Sequence, residues 1–223
     1  MSSILDSSMS NKSLARSIVG TDPEVLKDIY IEDINIVTWQ RKLSHLIADA
    51  CESVMNSNTA LQISQIVTPQ DAYSTVNELL GASKMSELLS EDISELVDMF
   101  CCLFGLNRTG LRLSVLNSAM CPKFHVDRVP CRLITTYHGI ATEWLPHHAA
   151  DRSKLGHGSK GMPDDQSGLF NTLEDIQQLH QGEVALLKGE SWEGNQGAGL
   201  IHRSPQLIDQ TNRLILTLDF IDE

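Results

Sequence analysis

Up to Gly105 the apolar residues recur mainly at three- and four-residue intervals; beyond it they fall in short runs that alternate with polar residues. The first pattern predicts helices and the second strands. In "IVTWQRKLSHLIADACESVM", Trp39, Leu43, Leu46, Ile47 and Cys51 share a helical spacing. "SEDISELVDMFCCLFG" carries the same signal more strongly. Ser90 suits an N-cap, Glu91 and Asp92 suit the positive end of a helix dipole, and Gly105 suits its stop. Ile93, Leu96, Val97, Phe100, Cys101 and Phe104 then form one apolar stripe. Between these segments, "TALQISQIV" predicts a short strand.

After Gly105, "LRLSVLNSA", "CRLITTYHG", "EVALLKGE", "AGLIHRS" and "RLILTLDFI" are β-rich runs separated by Gly, Pro, Asn and Asp. Short strands without long helices between them predict an antiparallel sandwich or barrel. Residues 147–168, "HHAADRSKLGHGSKGMPDDQSG", are polar and interrupted by Gly and Pro, and predict an extended loop across one end of it. The expected fold is therefore α+β, with a helical region over 1–105 packed on a β domain over 106–223.

Charge narrows the partners. The net charge of −12 is uneven: residues 1–105 hold 15 acidic and 6 basic side chains, against 14 and 11 in the rest. Nucleic acid and anionic membrane both need a basic surface, so neither is an expected partner. No apolar run approaches the roughly 20 residues of a membrane helix. The start, "MSSILDSSMSNKSLARS", lacks the apolar core of a secretory signal and reads as a frayed, Ser-rich tail. Five scattered cysteines (Cys51, Cys101, Cys102, Cys121, Cys131) without a C-x-x-C pair predict free thiols and a cytoplasmic protein.

Candidate chemistry lies in "CPKFHVDRVPCRL", residues 121–133. On a strand, His125 and Asp127 share one face, while Phe124 and Val126 share the other. An apolar pair would then face a core while an imidazole and a carboxylate point together into the opposite space. Two metal ligands aimed at one point require a third, and His202 in "GLIHRSP" is the candidate. Eleven residues later comes Arg213, opening "RLILTLDF". By parity Arg213, Ile215 and Thr217 share one side of that strand and Leu214, Leu216 and Leu218 the other.

This order, H-x-D, then His 77 positions on, then Arg eleven later, resembles the iron(II)- and 2-oxoglutarate-dependent dioxygenases. The resemblance covers roughly residues 106–223. It implies a double-stranded β-helix, a cupin-like jelly-roll barrel, in which His125, Asp127 and His202 hold Fe(II). Arg213 would bind the far carboxylate of 2-oxoglutarate, and Tyr137, twelve residues after His125, is a candidate donor to the same carboxylate. It also implies oxidative decarboxylation of 2-oxoglutarate to succinate, coupled to oxidation, chiefly hydroxylation, of a small-molecule or protein substrate. "CPKFHVDRVPCRLITTYHGIATEWL" and "LLKGESWEGNQGAGLIHRSP" resemble, besides, a bacterial family known only as domain of unknown function 1826.

The chemistry accounts for the residue types. Two imidazoles and one carboxylate occupy one face of an octahedral ion and leave three positions open. They neutralise one of its two positive charges, so an anionic cosubstrate is still attracted. A guanidinium suits the far carboxylate because it is planar, permanently charged and bidentate. Taken singly, each element has an ordinary reading: H-x-D as a solvated strand end, His202 as a hydrogen-bonded core histidine, Arg213 as a strand-edge charge. Two other functions therefore stay open: a non-catalytic cupin-like protein binding a divalent metal in sensing or homeostasis, and a barrel used only for protein contacts. His147, His148 and His157 lie in the polar loop without regular ligand spacing and read first as solvated. Trp144 reads as a plug of the barrel end or a pocket wall.

Overall fold

The first hundred residues are less helical than their spacing predicts in the computed structural model, which describes residues 15–207 and 211–221. They form β1 (Arg16–Gly20), β2 (Ile34–Trp39), helix α1 (His45–Ser57), β3 (Gln62–Val67), and helices α2 (Ala72–Leu79) and α3 (Lys84–Phe104). Trp39 is thus the end of a strand, and α1 starts six residues later behind Ser44, whose hydroxyl accepts from the Ile47 N–H. The misreading has a physical cause. "INIVTW" is buried on both faces, and a strand buried on both faces is a continuous apolar run with no alternation to read. Residues 1–14 of the Ser-rich start lie outside the described residues, whereas Arg16 and Ser17 already belong to β1.

Helix α3 also starts earlier than expected. Its N-cap is Ser83, which exchanges hydrogen bonds with Ser86, while Ser90 is buried inside the helix. Gly105 does close it, in a left-handed conformation (φ 65°) that costs glycine nothing.

The second half supplies β4 (Thr109–Leu116), β5 (Cys131–His138), β6 (Glu143–Leu145), β7 (Gln177–Gln178), β8 (Val184–Lys188), β9 (Ile201–Arg203) and β10 (Arg213–Asp219). Seven strands form one sheet in the order β1-β2-β8-β5-β10-β4-β3, antiparallel except for β1 against β2. Three more form a small sheet, β7-β6-β9. A boundary after residue 105 therefore cuts through one continuous sheet: β2 pairs with β8 (Ile36 opposite Leu187) and β3 with β4 (Ile63 opposite Leu113).

Strand alternation sorts the side chains of the large sheet into two cores. Leu133, Tyr137, Leu214, Leu216 and Leu218 join the α3 stripe (Leu89, Ile93, Leu96, Val97, Phe100) and α1 in the main core. Ile36, Ile134, Ala185, Leu187 and Ile215, on the other face, meet Leu179, Leu200 and Trp144 of the small-sheet side. The result is three layers: helices, large sheet, small sheet. The functional question concerns the space between the two sheets.

Candidate metal centre

His125 sits beside the small sheet without belonging to a strand. Its N–H donates to the His202 carbonyl (3.0 Å) and its carbonyl accepts from the His202 N–H (2.9 Å), a single antiparallel bridge. The strand predicted through the H-x-D segment shrinks to that bridge, because Pro122 and Pro130 flank it without amide protons. The two faces are nevertheless as alternation requires. Phe124 packs with Leu145, Leu169, Phe170 and Ile201, and Val126 joins them. The Phe124 N–H donates to Asp164 (2.8 Å), from the 147–168 loop, so this loop braces the segment from behind.

Asp127 is fixed through its backbone. Its carbonyl accepts from the Glu190 N–H (2.9 Å), and the Gly189 N–H donates to Pro130 (2.9 Å). A Cβ on Gly189 would lie 2.1 Å from the Val129 carbonyl oxygen and 2.9 Å from that of Asp127. Gly189→Ala is therefore expected to push the H-x-D segment aside, costing about 1–3 kcal/mol of stability in chemical denaturation, as overpacking does. Wild-type stability in that variant would mean that the segment yields freely.

His125, Asp127 and His202 each offer a ligand atom, and these atoms all lie within 4.8 Å of one another. Asp127 Oδ1 is 3.8 Å from His125 Nε2, and Oδ2 is 3.4 Å from His202 Nε2. Both rings turn Nδ1 toward a backbone carbonyl, Lys123 (2.9 Å) and Leu200 (3.2 Å). With the proton on Nδ1, each ring donates there and presents an unprotonated Nε2 to the shared point, the arrangement of metal-bound histidines. Burial, followed by the neighbouring His202, lowers the His125 pKa and favours its neutral form. Burial alone would raise Asp127; the facing His202, with Arg132 and His125 behind it, outweighs it and holds the carboxyl down at about 2. Both groups are thus in the state a divalent ion requires.

Arg132 was not singled out by the sequence. Its Nη1 donates to Asp127 Oδ2 (2.6 Å), while Nε and Nη2 hold both oxygens of Asp219 (2.7 and 3.0 Å). The legible signal was its parity: Arg132 shares a β5 face with Ile134 and Thr136, toward the space between the sheets.

Arg213 lies on the face predicted for it. It is 1% exposed; its Nη2 donates to Thr136 Oγ1 (3.0 Å) and Thr142 Oγ1 (2.7 Å), and its Nε has no partner. No carboxylate forms an ion pair with it among the described residues, and burial pushes its pKa down to about 10. Thr142 in turn lines a cavity of about 100 Å³ together with His125, His202, Arg132, Ile134 and Ile215. His125 and His202 thus share this cavity with Thr142, which accepts from Arg213; Asp127 and Arg213 are not among its lining residues.

Tyr137 is not brought to this space. It points to the helix side of β5, where its hydroxyl donates to Asp92 (2.5 Å), itself bound bidentately by Arg41 (2.7 and 2.9 Å). Alternation decides this: Thr136, one residue earlier, is the side chain that meets Arg213. Tyr137→Phe is expected to lower stability by about 1 kcal/mol in thermal unfolding, the worth of one buried hydrogen bond, since Arg41 still satisfies Asp92.

His147 and His148 line a separate cavity with Trp144 and Asn35, and among the described residues neither they nor His157 belong to a group of three metal-ligating side chains. All five cysteines are free; Cys121 is exposed at the rim of the site cavity, and Cys131 is buried. Among the described residues no helix is long and apolar enough to cross a membrane.

A family profile described as "Protein of unknown function (DUF1826)" matches residues 20–219. No curated protein matches the chain in sequence. Among solved structures, the dioxygenase for auxin oxidation 1 of Arabidopsis thaliana, in binary complex with 2-oxoglutarate, superposes with a TM-score of 0.55 at 11% identity, over 92% of each chain. The rice dioxygenase for auxin oxidation does so with a TM-score of 0.51 at 11% identity, over 92% of this chain and 82% of its own. At that identity the likeness is one of fold.

Proposed function

We propose that this chain, which belongs to the DUF1826 family, is a non-haem Fe(II)- and 2-oxoglutarate-dependent oxygenase acting in the cytoplasm on a substrate still to be found. The two facing sheets are read as its double-stranded β-helix. His125 Nε2, Asp127 Oδ1 and His202 Nε2 would hold the ion, and Arg213 would hold the far carboxylate of 2-oxoglutarate. When bound, iron and 2-oxoglutarate supply the oxidising chemistry: O₂ is reduced, the keto acid loses CO₂ to become succinate, and a substrate C–H bond is oxidised.

The observation that carries this reading is Arg213. A buried cation with no carboxylate paired to it among the described residues is costly, and nothing in a site built only to bind metal calls for one. The auxin dioxygenase that shares the fold was solved with 2-oxoglutarate bound, which supports the same cosubstrate here. The remaining residues set the stage. Arg132 fixes the Asp127 carboxylate through Oδ2 and leaves Oδ1 for the ion. Thr136 and Thr142 aim the guanidinium by accepting its Nη2 protons. Ile134 and Ile215 line the cavity with apolar surface, which strengthens every charge interaction inside it.

Anaerobic reconstitution of the apo protein with Fe(II) tests the proposal. On admission of O₂, succinate is expected from 2-oxoglutarate without added substrate. Tight Fe(II) binding with neither 2-oxoglutarate binding nor succinate would favour the non-catalytic metal-binding protein.

A further inference from the structure

We infer that Arg112 grips an anionic group, carboxylate or phosphate, on the substrate of this site; the inference rests on the oxygenase reading above. Three arginines line the cavity: Arg112, Arg132 and Arg203. Two are already committed. Arg132 holds Asp127 and Asp219, and Arg203 holds Glu143 (2.6 Å) and Asp164 (3.3 Å); both side chains are 19% exposed. Arg112 is 62% exposed, and its ion pair is a 3.8 Å approach to Asp219, both of whose oxygens Arg132 already occupies. Such an exposed, long pair contributes little, so an incoming anion displaces little.

The sheet register puts Arg112 where a substrate must pass. Arg112 lies opposite Ser64 on one side and Thr217 on the other, and Thr217 lies opposite Ile134. Ser114, two residues along β4, lines the same cavity with Thr217. A guanidinium flanked by hydroxyls is a donor set for an oxyanion, and the planar fork matches carboxylate or phosphate bidentately. A cavity of about 100 Å³ admits only a small part of a molecule to the triad. The reacting group goes inward, and the anionic end stays at the mouth on Arg112. With a net charge of −12 the rest of the protein repels polyanions, so the substrate is a small acid and not a nucleic acid.

Nuclear magnetic resonance on the full-length, zinc-loaded protein tests this with inorganic phosphate and acetate as separate probes, with and without 2-oxoglutarate. One of the two is expected to shift the Arg112 Nε–H signal and the Ser114 and Thr217 amides saturably, and which one identifies the headgroup. In Arg112→Lys the amide titration should weaken about tenfold, because a point charge replaces a bidentate fork; in Arg112→Gln it should vanish. Three results overturn the inference: no saturable shift with either anion, equal response of the exposed Arg108 at the same concentrations, or loss of the Arg112 response on adding 2-oxoglutarate. Failure of the wild-type protein to bind 2-oxoglutarate would instead sink the oxygenase reading, and the titration without it still reports on Arg112.

Discussion

Alanine at Asp127 is expected to leave the protein folded but unable to retain Fe(II). The substitution removes the only carboxylate of the triad, so two imidazoles face the ion without any negative charge to offset its own. Changes to outer-shell partners of a metal cost roughly 10–100-fold in affinity, and loss of a ligand should exceed that range. The fold survives because Arg132 keeps its bidentate grip on Asp219 and is not left as an unpaired cation. Two measurements check the outcome. Elemental analysis after anaerobic reconstitution should find little iron in the variant. The wild type should melt at higher temperature as Fe(II) is added, following mass action, while the variant should not. Equal iron content in the two proteins would remove Asp127 from the site.

Arg213→Ala should separate cosubstrate binding from metal binding. Deleting one partner of a buried charge pair commonly costs about 2–5 kcal/mol, roughly a hundredfold or more in affinity. Fe(II) affinity should stay close to that of the wild type, because Arg213 bonds to Thr136 and Thr142 and not to any of the three ligands. Apo stability provides an independent reading. Arg213→Met keeps much of the volume and removes a buried cation that lacks an anion among the described residues, so the apo variant should be as stable as the wild type or more so. Anaerobic calorimetry with 2-oxoglutarate decides the first point and chemical denaturation the second. Unchanged 2-oxoglutarate affinity in Arg213→Ala would rule out the anchor.

Alternation was a sound guide to faces and a poor one to element boundaries. It set Leu214, Leu216 and Leu218 against the helices and Arg213 toward the inter-sheet space, and the register agrees. It also separated His125 from Phe124, although one bridge, not a strand, holds them there. Tyr137 was picked by its distance from His125 along the chain, and parity with Arg132 and Ile134 would have selected Thr136 instead. β2 was hidden because both of its faces are buried, and β1 because "RSIVG" adjoins a Ser-rich tail. Arg132 and Glu190, which fix Asp127 by side chain and by backbone, are contacts across 5 and 63 residues. The first needed the turn of the loop to be known and the second the packing of two loops, neither of which local pattern encodes.

The position of β10 has a consequence for how the molecule is made. This strand, which carries Arg213, is the last of the ten described strands in chain order, yet it is inserted between β5 and β4 in the middle of the large sheet. A chain emerging from the ribosome therefore has α1, α2 and α3, both outer strands and all three triad residues before it has the strand that joins β4 and β3 to the others. Until then the apolar rows of β4 and β5 are open to each other and to other chains, the condition under which slow, long-range sheets aggregate. Removal of residues 212–223, which takes β10 away, should yield insoluble protein. The guanidinium that would recognise the cosubstrate arrives with the same segment that closes the sheet, so no partly synthesised chain holds a complete site.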